Sequence, residues 1–173
     1  PIEDIAGFLG GYIKGKPRPV NIVEVKERKH LDLKVICPVD NLTLHSTEVI
    51  NSKMYDLLVD LVNDHRTTLI FTNTRAGTES ITIQLKERGI EKLAAHHGSL
   101  SKEMRLDVEE KLKGGEMDVV VSSTSLELGI DIGYVDLVIQ IGSPKSIAKG
   151  LQRIGRAGHD LKAISKGRII VFD

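Results

Sequence analysis

The sequence predicts an α/β fold, a mostly parallel sheet flanked by helices on both faces. Three observations carry this. From residue 68 onward, short β-branched apolar runs alternate with amphipathic stretches of helical length, the βαβ pattern of a parallel sheet. The run Val119-Val120-Val121 is apolar at every position, as a strand covered on both faces must be. The chain is 173 residues long, 40% hydrophobic and 28% charged, which suits one domain with a real core and excludes a disordered segment.

The elements follow in order. Residues 1–19 read as a connector: Ile2, Ile5, Phe8 and Leu9 keep helical spacing, then Gly10, Gly11, Gly15, Pro17 and Pro19 interrupt any regular element. Residues 20–25 and 31–36 are strand candidates. The second alternates apolar and charged side chains (Leu31, Asp32, Leu33, Lys34, Val35), the pattern of a half-exposed or edge strand. Asn51 or Ser52 is expected to cap a helix carrying Met54, Leu57, Leu58, Leu61 and Val62. Residues 68–72 form a strand and residues 75–88 a helix, with Ile81 and Leu85 inward and Gly89 closing it. A strand at 93–96 leads to a helix that Ser101 caps, running through Met104, Val108 and Leu112 to Gly114-Gly115. Strands at 119–122 and 136–141, a helix at 146–157 and a strand at 168–172 complete the pattern. The segment 39–48 receives no role.

Net charge points to no polyanionic partner, since Lys+Arg and Asp+Glu both number 24. The distribution is less even. Lys145, Lys149, Arg153, Arg156, Lys162, Lys166 and Arg168 stand against Asp160 alone, either a phosphate-contacting basic face or a solvated one. Cys37 is the single cysteine, which excludes an intramolecular disulfide and a cysteine-based zinc site. No apolar run approaches the roughly 20 residues that span a bilayer, and no secretory signal is visible. A cytoplasmic protein without a membrane partner is expected. The sequon Asn41-Leu42-Thr43 is then chance, and a chain running from Pro1 to Asp173 reads as a piece of a longer polypeptide.

In a parallel α/β sheet, ligands bind beyond the carboxyl ends of the strands. Three groups of small polar residues fall there: Asn73-Thr74-Arg75, His97-Gly98-Ser99 and Ser123-Thr124-Ser125. Each joins hydroxyls or an open backbone to a strand end, where a helix N-terminus favours anions. Each alone is equally well explained by capping. Three at one sheet edge could carry successive phosphates of a single strand. Downstream, Gln152-Arg153-Ile154-Gly155-Arg156-Ala157-Gly158-His159 is expected to set two arginines on one helix, within reach of a charge developing on a transferring phosphate.

Several look-alikes are set aside. Gly10 through Lys16 has P-loop spacing, but Pro17 stands where a Ser or Thr would bind magnesium, and no strand precedes it. Ser99-Leu100-Ser101-Lys102 matches a penicillin-binding motif without its companions. His96 and His97 are adjacent on a strand and point to opposite faces, so no metal site is expected. Glu127 and Asp131, with Gly129 between them, do not form an acid–base pair.

With these residues in place, the chain resembles the second RecA-like (helicase C-terminal) domain of superfamily-two helicases, and most nearly the large helicase-related (Lhr) family of archaea and bacteria. Residues 69–75 look like helicase motif IV, 95–105 like the motif that follows it, 122–133 like motif V and 152–159 like motif VI. The resemblance implies a P-loop NTPase fold lacking the phosphate-binding loop. Residues 1–19 would be the tail of the first RecA-like domain and the inter-domain linker, and residues 20–173 the second domain. It implies Arg156 as an arginine finger, with Gln152 beside it as catalytic contacts. Gly129, Asp131, Gln152, Arg156 and His159 would line ATP and Mg²⁺, held mainly by the missing first domain. Thr74, Arg75, Gly98, Ser99, Arg105, Ser123, Thr124 and Ser125 would touch a single nucleic-acid strand, with DNA expected and DNA repair the implied setting. His159 departs from the family, which commonly places a second arginine there; a neutral imidazole stabilises phosphate less. The intact protein would be an ATP-dependent helicase, and this piece alone inactive. The alternatives are a non-catalytic RecA-like module binding nucleic acid or protein, and an RNA-directed motor.

Overall fold

The computed structural model describes residues 1–23, 30–127, 132–158 and 164–172. Six strands make one all-parallel sheet. The chain begins with α1 (Ile2–Gly10) and a small antiparallel hairpin, β1 (Tyr12–Ile13) and β2 (Lys16–Pro17). The expected break after Gly10 is therefore a turn. Lys14 and Gly15 both take positive φ, as the two-residue hairpin loop that matches strand twist requires. Residues 20–23 form no strand, and the rest of that predicted strand, Glu24 and Val25, lies outside the described residues.

The sheet proper comprises β3 (Leu31–Ile36), β4 (Thr68–Phe71), β5 (Leu93–His96), β6 (Val119–Ser122), β7 (Leu137–Ile141) and β8 (Ser165–Ile170), in the order β3-β8-β7-β4-β6-β5. The alternating strand β3 is indeed at an edge, with Val35 67% exposed. The central strands β4, β6 and β7 are buried at every residue. Because side chains alternate between faces, these strands feed two cores. Ile70, Val119, Val121, Leu137 and Ile139 pack under α2 (Thr47–Asn63) and α3 (Arg75–Glu87). Leu69, Phe71, Val120 and Val138 pack under α4 (Lys102–Lys113) and α5 (Ile147–Ile154).

Local signals explain most boundaries. Ser101 caps α4, its Oγ accepting from the Met104 N–H. Gly89, at φ 91°, ends α3 with the Gly89 N–H on the Lys86 carbonyl and the Ile90 N–H on the Leu85 carbonyl, a Schellman motif. The cap of α2 is Ser46 rather than Asn51 or Ser52, so the helix starts a full turn earlier. Its first buried residue, Ile50, belongs to the same stripe as Met54, Leu58 and Val62. Asn41 caps a short 3₁₀ turn, Leu42–Leu44, which fills part of the segment without an assigned role. On the other face, β8 approaches α5 closely: a Cβ at Gly167 would lie 2.8 Å from the Ile154 side chain. Among the described residues no helix is long and apolar enough to cross a membrane.

Candidate nucleotide and nucleic-acid interface

Adjacent parallel strands align their carboxyl ends, so the loops after β4, β6 and β5 lie side by side. The three predicted polar groups sit in these loops. Thr74 caps α3 by accepting from the Gly77 N–H at 3.0 Å, which leaves its own hydroxyl hydrogen to give. Capping and an outward donor are thus compatible at this residue. Arg75 reaches the next loop and donates to Ser99 Oγ at 2.7 Å. Gly98 is exposed, with nothing within 4 Å of where a Cβ would stand, so its backbone is open to close approach. Thr124 is exposed and Ser123 partly so.

Ser125 departs from expectation. Its hydroxyl turns inward, 2.6 Å from His96 Nδ1 and 3.0 Å from the His96 carbonyl. It joins two loops. His96 and His97 do point to opposite faces: His96 Nε2–H donates to Glu109 on α4 and His97 Nε2–H to Glu79 on α3. Together with the Arg75–Ser99 bond, they wire all three loops into one hydrogen-bonded layer. Arg105 stands in α4 beside this layer, its Nε buried and without a hydrogen-bond partner among the described residues.

The predicted two-arginine helix is also corrected. α5 ends at Ile154, and Arg156 lies in the turn beyond it, with the Arg156 N–H on the Arg153 carbonyl. Gly155 follows the helix directly, and its weak helix propensity favours the stop. The two arginines then separate in role. Arg153 is 2% exposed and points into the domain, its Nε donating to Glu127 at 3.3 Å and its Nη1 to Gln140 at 2.5 Å. Its guanidinium also lies over the Phe71 ring, 5.1 Å from the centroid. Arg156 is half-buried, and its Nε and Nη2 donate to the Glu127 backbone carbonyl at 3.2 and 2.8 Å. Glu127 therefore holds both arginines, one with its carboxylate and one with its carbonyl. Gln152 is exposed on α5. Gly129, Asp131 and His159 lie outside the described residues.

Among the described residues, the basic stretch 145–168 does not form one face; Asp160 and Lys162 lie outside them. Arg153 is paired inside. Arg168 is buried and donates to the Asp32 carboxylate at 2.9 Å, holding that carboxyl below its ordinary pKa chiefly through this hydrogen bond. Lys166 pairs with Asp136 at 3.3 Å. Lys145 takes a left-handed backbone, φ 66°, at the mouth of a cavity of about 480 Å³ between the ends of β4 and β7.

Glu127, Gln140, His96 and Glu109 were not legible as site residues. The adjacent histidines were the one available signal, and spacing could not reveal their partners. The residues with P-loop spacing fall in other elements: Gly10 ends a helix and Lys16-Pro17 lies in a hairpin strand, whereas a P-loop joins a strand to a helix.

Strand order, all-parallel pairing and helices on both faces make this a RecA-like α/β domain. Residues 51–160 match the helicase conserved C-terminal domain family, more than half of the chain, and the chain belongs to that family. It is similar along its whole length to the ATP-dependent helicase Lhr-Core of Methanothermobacter thermautotrophicus, at 57% identity, covering 21% of that protein. The Lhr-Core helicase of Methanocaldococcus jannaschii is 53% identical over the whole chain, which covers 20% of it. The chain thus spans about a fifth of the length of the curated relatives it matches. Among solved structures, the Mycobacterium smegmatis helicase Lhr bound to ssDNA and AMP-PNP superposes with a TM-score of 0.86 at 41% identity. That match covers 98% of this chain and 22% of that one.

Proposed function

We propose that this chain is the second motor domain of an ATP-dependent helicase or translocase similar to Lhr, working in the cytoplasm on a single strand of DNA. Residues 1–19 belong to the end of the first RecA-like domain and the linker. The observation that carries the reading is Glu127, which joins the loop bearing Thr124 to Arg156 through its own carbonyl. A nucleic-acid contact and an arginine finger on one short stretch of backbone are what a motor domain needs and a passive binding module does not.

ATP with Mg²⁺, held mainly by the first domain, supplies the free energy of the cycle. Within this chain, Arg156 contributes a guanidinium at the phosphoryl group and Gln152 an exposed amide beside it. The resemblance assigns Asp131, Gly129 and His159 to the same ATP contact, and all three lie outside the described residues. For Arg156 to reach across, its hydrogen bonds to the Glu127 carbonyl must exchange for bonds to phosphate oxygen. Thr74 and Thr124 offer hydroxyl donors to successive phosphates, Gly98 offers open backbone, and Arg75, Arg105, Ser99 and Ser123 support them. Ser125 works from below.

The chain alone should be silent as an ATPase. Mixed with a separately expressed first domain and single-stranded DNA, it should give strand-stimulated turnover that Arg156→Ala removes. Silence in every mixture would favour a binding module, and stimulation by RNA but not DNA would reassign the substrate.

A further inference from the structure

The two histidines closing β5 differ in what their hydrogen bonds require. For His97 one arrangement suffices: Nδ1 accepts from the Ser99 N–H at 3.3 Å and Nε2–H donates to Glu79 at 2.5 Å. His96 is fully buried and gives Nε2–H to Glu109 at 2.9 Å. Its Nδ1 faces Ser125 Oγ at 2.6 Å, and the same oxygen lies 3.0 Å from the His96 carbonyl. A carbonyl only accepts, so that contact takes the single hydroxyl hydrogen of Ser125. The Nδ1 contact then needs a hydrogen on the ring. Since Nε2–H already serves Glu109, the imidazolium is the form that satisfies all three contacts. A neutral ring requires Ser125 to turn its hydroxyl to Nδ1 and release the carbonyl. Ser122 Oγ, 3.3 Å from Ser125 Oγ, can donate to that oxygen but supplies neither missing hydrogen.

Among the described residues, the charged groups around the ring are few. α4 presents Glu109, which favours the imidazolium, and Arg105, which opposes it; β5 presents His97, which also opposes it. In the described part of the loop after β6, the one carboxylate, Glu127, is turned to Arg153. Burial is the largest influence and holds the His96 pKa below its ordinary 6.5, with Glu109 pulling the other way. The unliganded domain therefore favours the neutral ring near pH 7, one proton short of the fully bonded arrangement.

We infer that His96 is a positioning residue for the tracking strand, taking up a proton as a phosphodiester binds over Gly98 and Thr124. The inference rests on the strand-binding reading above. Gly98 lies two residues beyond His96 and Thr124 adjoins Ser125, so a phosphate between them sets negative charge over the ring. That charge favours the imidazolium. The imidazolium in turn ties Ser125, and with it Thr124, to β5 by one more hydrogen bond. Reciprocity then requires strand affinity to rise as pH falls through the His96 titration.

The test uses this chain with a fluorescent single-stranded oligonucleotide at fixed salt, from about pH 7.5 down to about pH 5, with ¹⁵N NMR of the histidine rings alongside. Affinity should rise by roughly fivefold on acidification, the low end of ordinary coupling between sites. His96→Gln should lose that component. Adding strand should move the His96 ring titration to higher pH. Ser125→Ala, which tests the link without replacing the ring, should retain a titrating His96 and lose the part of the pH dependence that the Ser125 hydrogen bond carries, leaving a shallower profile than wild type. Identical affinity profiles in wild type and both variants, or a ring titration indifferent to strand, would overturn the inference. Absence of strand binding at every pH would overturn the strand-binding reading itself, and this inference with it.

Discussion

Replacing Glu127 by leucine isolates the buried ion pair with Arg153 and keeps the backbone carbonyl that holds Arg156. The Arg153 and Glu127 side chains are 3% and 10% exposed, so solvent screening does not soften their interaction. Removing one partner leaves a buried guanidinium uncompensated, which costs about 3–5 kcal/mol. The Gln140 acceptor at 2.5 Å and the Phe71 ring at 5.1 Å remain, placing the expected loss near the lower end, about 3 kcal/mol. That is a large fraction of the roughly 5–15 kcal/mol that stabilises a domain. Arg153→Met should lose a similar amount, leaving Glu127 unpaired and Gln140 without its donor. The double variant removes both charges and should lose only about 1–2 kcal/mol, the cost of the orphaned Gln140 oxygen. Urea denaturation followed by far-UV circular dichroism is the assay, since the chain has no tryptophan. With a slope of about 2 kcal/mol/M, each single variant should shift the midpoint by roughly 1.5 M. If the two losses simply add, to within about 0.5 kcal/mol, the pair is not coupled and the reasoning fails.

In the mixture with a separately expressed first domain, Arg156→Ala should lower ATP turnover by roughly a thousandfold while strand affinity stays within about twofold; a large loss of binding with normal turnover would remove its proposed finger role. Thr124→Val keeps shape and deletes a donor, so it should weaken strand binding by about 1 kcal/mol and uncouple hydrolysis from unwinding, and unchanged unwinding would count against it. Folding stability should fall as pH drops from about 6.5 through the lower His96 pKa, because the unfolded chain binds that proton first. One proton sets a ceiling of about 1.4 kcal/mol per pH unit, and His96→Gln should flatten the profile in thermal melts. Gly167→Ala should destabilise by about 1–3 kcal/mol through the clash with Ile154; a neutral melting temperature would mean that α5 can shift.

Much of the fold was legible because its causes are local. Apolar spacing, a Ser or Thr before α3, α4 and α5 and a glycine just after each act between near neighbours, and they marked the strands and helices from β4 through α5 within a few residues. Where the signal failed, a competing local option existed. Ser46 capped α2 ahead of Asn51, and Gly155 stopped α5 before Arg156 could join it. The three polar loops were legible as a set because parallel strands must bring their carboxyl ends together.

By itself the sequence determined the alternation of strands and helices, the sheet edge where the polar loops gather, and the segment that carries Arg156. Only the tertiary structure decided which basic residues face outward. Arg153 and Arg168 look like surface charge along the chain, yet their partners Glu127 and Asp32 lie 26 and 136 residues away. The tertiary structure likewise turned Ser125 inward, toward a histidine 29 residues upstream. Helix and strand patterns arise from contacts a few residues apart and can be read in order. The partner of a buried charge or hydroxyl is set by how distant segments pack, and spacing along the chain does not encode it.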